Sequence, residues 1–143
     1  MVDLKRQEEL RSAIELLYFA YRGFTDRPDR ILERRGLGRV HHRILYFIGR
    51  RPDVSVRGLL DLLAVSKQAL NAPLRQLLEM GLVSATADAA DRRAKKLSLT
   101  AEGHKLEAEL TGVQMQSLEA AFQGVGADQE QGWRAVMAQL ARP

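Results

Sequence analysis

The chain contains no cysteine, which excludes a disulfide framework, a thiolate zinc site, a cysteine nucleophile and a thiol redox switch. No run approaches the roughly 20 apolar residues needed to cross a bilayer, and 28% of the residues are charged, so no membrane partner is expected. The opening residues, MVDLKRQEELR, lack the apolar core of a secretory leader, and a cytoplasmic location is the expectation. There is no glycine-rich phosphate loop, no HExxH and no GxSxG, so neither an enzyme nor a cofactor is expected. Repeats and low-complexity segments are absent as well. What remains is 143 residues, 45% of them apolar, enough for a single domain with little left for a second.

Charge is distributed unevenly along that length. Residues 1–49 carry ten Lys/Arg and seven Asp/Glu, and residues 50–100 carry nine and five. Residues 101–143 reverse the sign, with three and six. A basic centre beside an acidic tail suits a protein with one nucleic-acid face and a separate assembly face.

The most informative stretch runs from Ser55 to Gly103. An apolar helix is predicted over Val56 to Leu63, followed by a tight turn at Ala64-Val65. Ser66 opens a second helix that stops at Glu79-Met80-Gly81, and strands are predicted over Leu82 to Thr86 and Lys95 to Leu99. The polar tip between them, Ala87 to Ala94, carries Asp88, Asp91, Arg92 and Arg93. Helix, turn, helix, hairpin is the order of a winged helix-turn-helix, whose second helix enters a major groove while the hairpin tip reaches the flanking backbone or minor groove. In that second helix Leu70, Leu74, Leu77 and Leu78 form a buried stripe; Ser66, Lys67, Gln68, Asn71 and Arg75 fall on the other side. Gln and Asn can pair bidentately with adenine, Arg and Lys with guanine, and a helix-opening Ser can donate to phosphate. Pro73 either kinks this helix or leaves Asn71 to cap a shorter one beginning near Ala72.

The flanks are helical. Residues 3–22 place Leu10, Ile14, Leu17, Tyr18 and Tyr21 on one face, with Leu16 and Phe19 on others, so this helix is apolar nearly all round and calls for a subunit partner. Gly23 and Pro28 break the pattern. Asp26 or Asp29 is then expected to cap a short helix over Arg30 to Arg35, ended by Gly36 and Gly38. The next helix, Arg39 to Arg50, turns Val40, Ile44, Leu45, Phe47 and Ile48 inward, and Ser55 caps its successor. From Thr100, an N-cap, a long helix runs to Gly124 and Gly126; Asp128 caps a last helix bearing Trp133, Val136, Met137 and Leu140 on one face.

These residues resemble the MarR family of bacterial winged-helix regulators. The match lies in Gly81-Leu82-Val83 at the end of the second helix, Asp91-Arg92-Arg93 at the tip, and Leu97-Ser98-Leu99-Thr100-Ala101-Glu102-Gly103 entering the long helix. The family's Asp-x-Arg stands seven residues ahead of the Thr of its Leu-Thr-x-x-Gly sequence, as Asp91, Arg93 and Thr100 do here. The resemblance covers essentially the whole chain. It implies a mainly α fold with a small β-hairpin wing: residues 30–100 bind double-stranded DNA, and residues 1–25 and 101–143 make a homodimer. It implies that Arg93 enters the minor groove with Asp91 as its support, while Arg92 and Lys95 hold phosphates. It further implies a small aromatic effector in a cleft that Tyr18, Tyr21, Phe24, Arg39, His42 and Arg43 would line.

Zinc is not expected. His41 and His42 point about 100° apart on a helix, so they cannot join His104 and Glu107 on one face. The reading is a homodimeric repressor on a pseudo-palindromic operator with half-sites roughly 34 Å apart. The alternatives are a sequence-indifferent architectural DNA binder and a winged-helix protein-interaction module.

Overall fold

Hydroxyl side chains set three of the helix starts. In the computed structural model, which describes residues 3–142, the Ser55 hydroxyl accepts from the Gly58 amide at 3.0 Å, Ser66 from Ala69 at 3.1 Å and Thr100 from Gly103 at 3.0 Å. Each satisfies an amide that the first helical turn leaves without a partner. The elements in order are α1 (Leu4–Glu33), α2 (Arg39–Arg50), α3 (Val56–Leu63), α4 (Lys67–Glu79), β1 (Val83–Ala87), β2 (Lys95–Leu99), α5 (Ala101–Val125) and α6 (Ala127–Leu140).

The first helix corrects the reading of the sequence. It continues through Gly23 and Pro28 for 30 residues, so no separate helix begins at Arg30. Thr25, Pro28 and Leu32 form a buried face on the side where α1 meets α2 and α5. Burying Leu32 alone is worth about 1.5–3 kcal/mol, comparable with the roughly 3 kcal/mol that a mid-helix proline costs. Asp26 and Asp29 cap nothing: they pair with Arg30 and Arg39. Pro73 is likewise held inside a continuous α4 whose cap is Ser66, so Asn71 does not start a shorter helix. At the other end Gly126, at φ +94°, both closes α5 and opens α6. Asp128 therefore lies inside the first turn of α6 instead of capping it.

The wing is a two-stranded antiparallel sheet with Val83 opposite Leu99 and Ala85 opposite Leu97. β1 starts one residue later than predicted because Leu82 belongs to the end of α4. The Leu82 amide donates to the Leu77 carbonyl and the Gly81 amide to Leu78, with Gly81 at φ +72°, a Schellman ending that needs a residue at ease in the left-handed region. Leu97 also donates to the Val54 carbonyl at 2.8 Å, tying the lead into α3 to the wing.

Thr100 and Gly103 join these pieces. The Thr100 hydroxyl donates to the Gly81 carbonyl at 2.6 Å while accepting from Gly103, and the Thr100 amide donates to the Leu82 carbonyl. The bare Cα of Gly103 lets α5 lie directly on the Leu82 backbone: a Cβ there would stand 1.9 Å from the Leu82 carbonyl oxygen. The core beneath is built from Leu32, Ile44, Leu45, Leu59, Leu70, Leu77, Leu97, Leu106 and Leu110, all but fully buried. Val40, Phe47 and Leu78, expected inside, are only partly buried. His41 and His42 are buried beside them instead.

Outside this core, α1 and α6 stand largely bare. Ile14 is 67% exposed and Trp133 41%, and a cavity of about 740 Å³ between α1, α5 and α6 is lined by Leu17, Phe24, Phe122 and Trp133, among others. No helix among the described residues is long and apolar enough to cross a membrane.

Candidate nucleic-acid interface

On α4, burial of Leu70, Leu74 and Leu77 fixes which side is free. Ser66, Lys67, Gln68, Asn71 and Arg75 are all exposed. At about 100° per residue, the centre of the outward face is Gln68, Ala72 and Arg75, with Lys67 and Asn71 towards one flank. Ala72, which carries no polar chemistry for a sequence pattern to single out, is exposed at the middle of this face. The Ser66 hydroxyl, already accepting from Ala69, still has its own hydrogen to donate.

The wing tip is shaped by two aspartates. Asp88 accepts from the Ala90 amide at 2.8 Å, and Asp91 from the Arg93 amide at 3.0 Å. Asp91 thus supports the backbone of Arg93, as Asx turns do, rather than holding its guanidinium. Arg92, Arg93 and Lys95 are exposed, and the ion pairs among the described residues leave all three without a carboxylate partner. Free cations at a projecting tip and free polar groups on one helix face are the two components that phosphate contact and base readout require.

A second concavity, of about 360 Å³, opens between α1, α2 and α5. Tyr21, Phe24, Arg39, His42 and Arg43 line it, together with Thr111 and Met115 from α5, which sequence spacing could not bring to α2. Tyr18 does not: it is turned about 60° from Tyr21 around α1 and stands with Phe19 and Arg22 on the exposed side. Arg39 is held by Asp29 at 2.9 Å, and that hydrogen bond raises its pKa further. Arg43 donates to the Tyr21 hydroxyl at 2.8 Å and has no carboxylate partner among the described residues, so it is the cation this cleft offers an anion. Burial lowers the pKa of His42, against the opposing pull of Glu107 and Asp29; its Nε2 lies 3.3 Å from the Thr111 hydroxyl.

His41 faces elsewhere. Its Nδ1 accepts from the Gly38 amide at 2.9 Å and its Nε2 lies 2.9 Å from Oε1 of Gln76. Among the described residues no three His, Asp or Glu side chains converge as metal ligands would.

With this geometry in place, comparison with known proteins identifies the lineage. A MarR family model matches residues 35–94, from the end of α1 to the wing tip. Over 136 residues the chain is 43% identical to the HTH-type transcriptional regulator PetP of Rhodobacter capsulatus, covering 95% of this chain and 82% of that one. The chain belongs to the MarR family. Its fold is similar to that of Staphylococcus aureus MarR in complex with salicylate and kanamycin, with a TM-score of 0.74, 26% identity, and coverage of 96% of this chain and 91% of that one. It is also similar to Staphylococcus aureus MepR in a complex with DNA, with a TM-score of 0.73, 17% identity, and coverage of 88% and 93%. The MarR winged helix is thus the frame that carries both the outward face of α4 and the wing tip.

Proposed function

We propose that this protein is a sequence-specific, DNA-binding transcriptional regulator that acts by binding and not by catalysis. It works as a homodimer on a pseudo-palindromic operator and represses by occluding a promoter. The observation that carries the reading is the pairing of an exposed, polar, unpartnered face on α4 with three unpartnered cations at and beside the wing tip. Residues 30–100 present this surface. Lys67, Gln68, Asn71 and Arg75 read base edges in the major groove, with Ser66 on a phosphate. Arg93 enters the minor groove on the backbone support of Asp91, and Arg92 and Lys95 hold phosphates. A narrow A·T-rich minor groove is strongly negative and rewards an inserted guanidinium.

The bare apolar faces of α1 and α6 support dimerisation through residues 1–25 and 101–143, since a monomer rarely leaves such a surface in water. The cleft bearing Tyr21, Phe24, Arg39, His42 and Arg43 suits a small aromatic anion, its aromatic walls accompanied by the Arg43 guanidinium, which has no carboxylate partner among the described residues. Such an effector releases DNA only by binding better to a dimer whose recognition helices are mis-spaced.

Arg93→Ala is the variant that tests this assignment. Specific binding, followed by fluorescence anisotropy, is expected to weaken by about 1–3 kcal/mol while the elution of the dimer on a sizing column stays unchanged. Unchanged operator affinity would favour a protein-interaction module, and equal loss of dimer would mark Arg93 as structural.

A further inference from the structure

Gln76 lies on α4, where a glutamine would ordinarily be taken for a reader of adenine. Both ends of its amide are already engaged inside the protein. Its Oε1 faces Nε2 of His41 at 2.9 Å, and its Nε2 donates to the Gly36 carbonyl at 3.3 Å. His41, buried in the first turn of α2, uses its other nitrogen to accept from the Gly38 amide at 2.9 Å. With Nδ1 accepting, the proton of the neutral ring sits on Nε2 and is donated to Gln76. Gly36 and Gly38 both lie in the short connection between α1 and α2. A chain of three hydrogen bonds therefore fastens the latter half of α4 to that connection and to the first turn of α2.

We infer that His41 and Gln76 are positioning residues that set the angle of α4 against the rest of the protein, and so set operator specificity without touching DNA. The inference rests on the DNA-binding reading above. Its physical basis is that base readout tolerates little misalignment, whereas phosphate contact by long flexible cations tolerates much. Leu70, Leu74 and Leu77 supply α4 with non-directional burial. The hydrogen-bond chain supplies direction, because each link works only within a narrow range of distance and angle. His42, the next residue, faces the cleft. The same turn of α2 thus holds the recognition helix with one histidine and borders the cleft with the other.

Gln76→Met keeps the length of the side chain and removes both polar ends. Operator affinity is expected to fall about tenfold, a mid-range coupling for residues in one network, while the Kd for a scrambled duplex and the dependence of log K on log salt stay unchanged. His41→Gln should match it, because a glutamine at this third helical position can still reach the Gly38 amide but can no longer reach Gln76. The double variant should be no worse than either single. All are measured by anisotropy well below the melting transition of each variant, so that the folded fraction does not enter. Unchanged operator affinity in Gln76→Met overturns the proposal. So does a loss confined to one base pair of the operator, which would make Gln76 a reader. A wild-type protein that does not distinguish operator from scrambled DNA overturns the DNA-binding reading itself, and this proposal with it.

Discussion

Gly103→Ala is expected to destabilise the protein by about 2–3 kcal/mol, although by helix propensity alone alanine should gain about 1 kcal/mol there. Residue 103 lies in the first turn of α5, and the added methyl would sit 1.9 Å from the Leu82 carbonyl oxygen and 2.9 Å from its carbon. Both are backbone atoms, so no side chain can swing aside. Relief requires α5 to lift from the end of α4, which stretches the Thr100 hydrogen bonds to Gly81 and Leu82. Operator binding should fall as well, since those bonds join the end of α4 to the start of α5. Thermal denaturation checks this, with Gly112→Ala as the control on the same helix. A Cβ at Gly112 meets nothing within 4 Å, so that variant should be neutral or slightly stabilised. Equal melting temperatures for the two variants would mean that the close approach of α5 to Leu82 is not real.

Leu17→Asp should act at the level of assembly. Leu17 is half exposed on the single chain and borders the cavity shared with Phe122, Trp133 and Met137. On one protomer a carboxylate there remains in water and costs little. In a dimer that covers α1, it is buried without a partner, at a penalty of several kcal/mol. The variant should therefore elute as a folded monomer of unchanged circular dichroism. A monomer binds one half-site without the effective concentration its partner supplies, so operator affinity should drop by about two decades or more. A dimer that survives the substitution would place the interface elsewhere.

The two expected effects differ in how far the sequence alone reveals their cause. The hydroxyl caps Ser55, Ser66 and Thr100, the bounds of α2 and the Gly81 stop were all legible, because capping and turn chemistry are local. The Leu-Thr-x-x-Gly pattern was legible as a motif, but its reason was not. The clash that demands Gly103 comes from Leu82, across the wing. Gly23 and Pro28 misled for the converse reason. Local propensity argues for a break, whereas burial of Thr25, Pro28 and Leu32 is a tertiary effect that overrides it. Leu82 reads as strand by composition, yet its amide serves the end of α4. For the candidate site, every polar residue assigned to the outward side of α4 is exposed there, since a 3.6-residue period is sufficient to sort faces. Ala72 carries no chemistry that a pattern could single out. The pairing of His41 with Gln76 is invisible to local patterns because the two lie 35 positions apart. Five of the six cleft residues meet as expected; Tyr18 fails through the roughly 60° that three residues of helix impose.

Recognition of a particular DNA sequence by the outward face of α4 and the wing tip can be measured on the wild-type protein. Titrating the wild-type protein, by fluorescence anisotropy, onto DNA from immediately upstream of its own gene tests it most directly, with a scrambled duplex in parallel and two salt concentrations. A preference of about 10³-fold or more for the upstream duplex is expected, with the weaker, scrambled binding steeply salt-dependent. Equal, salt-sensitive binding to both duplexes, or no binding to either at low salt, would contradict it.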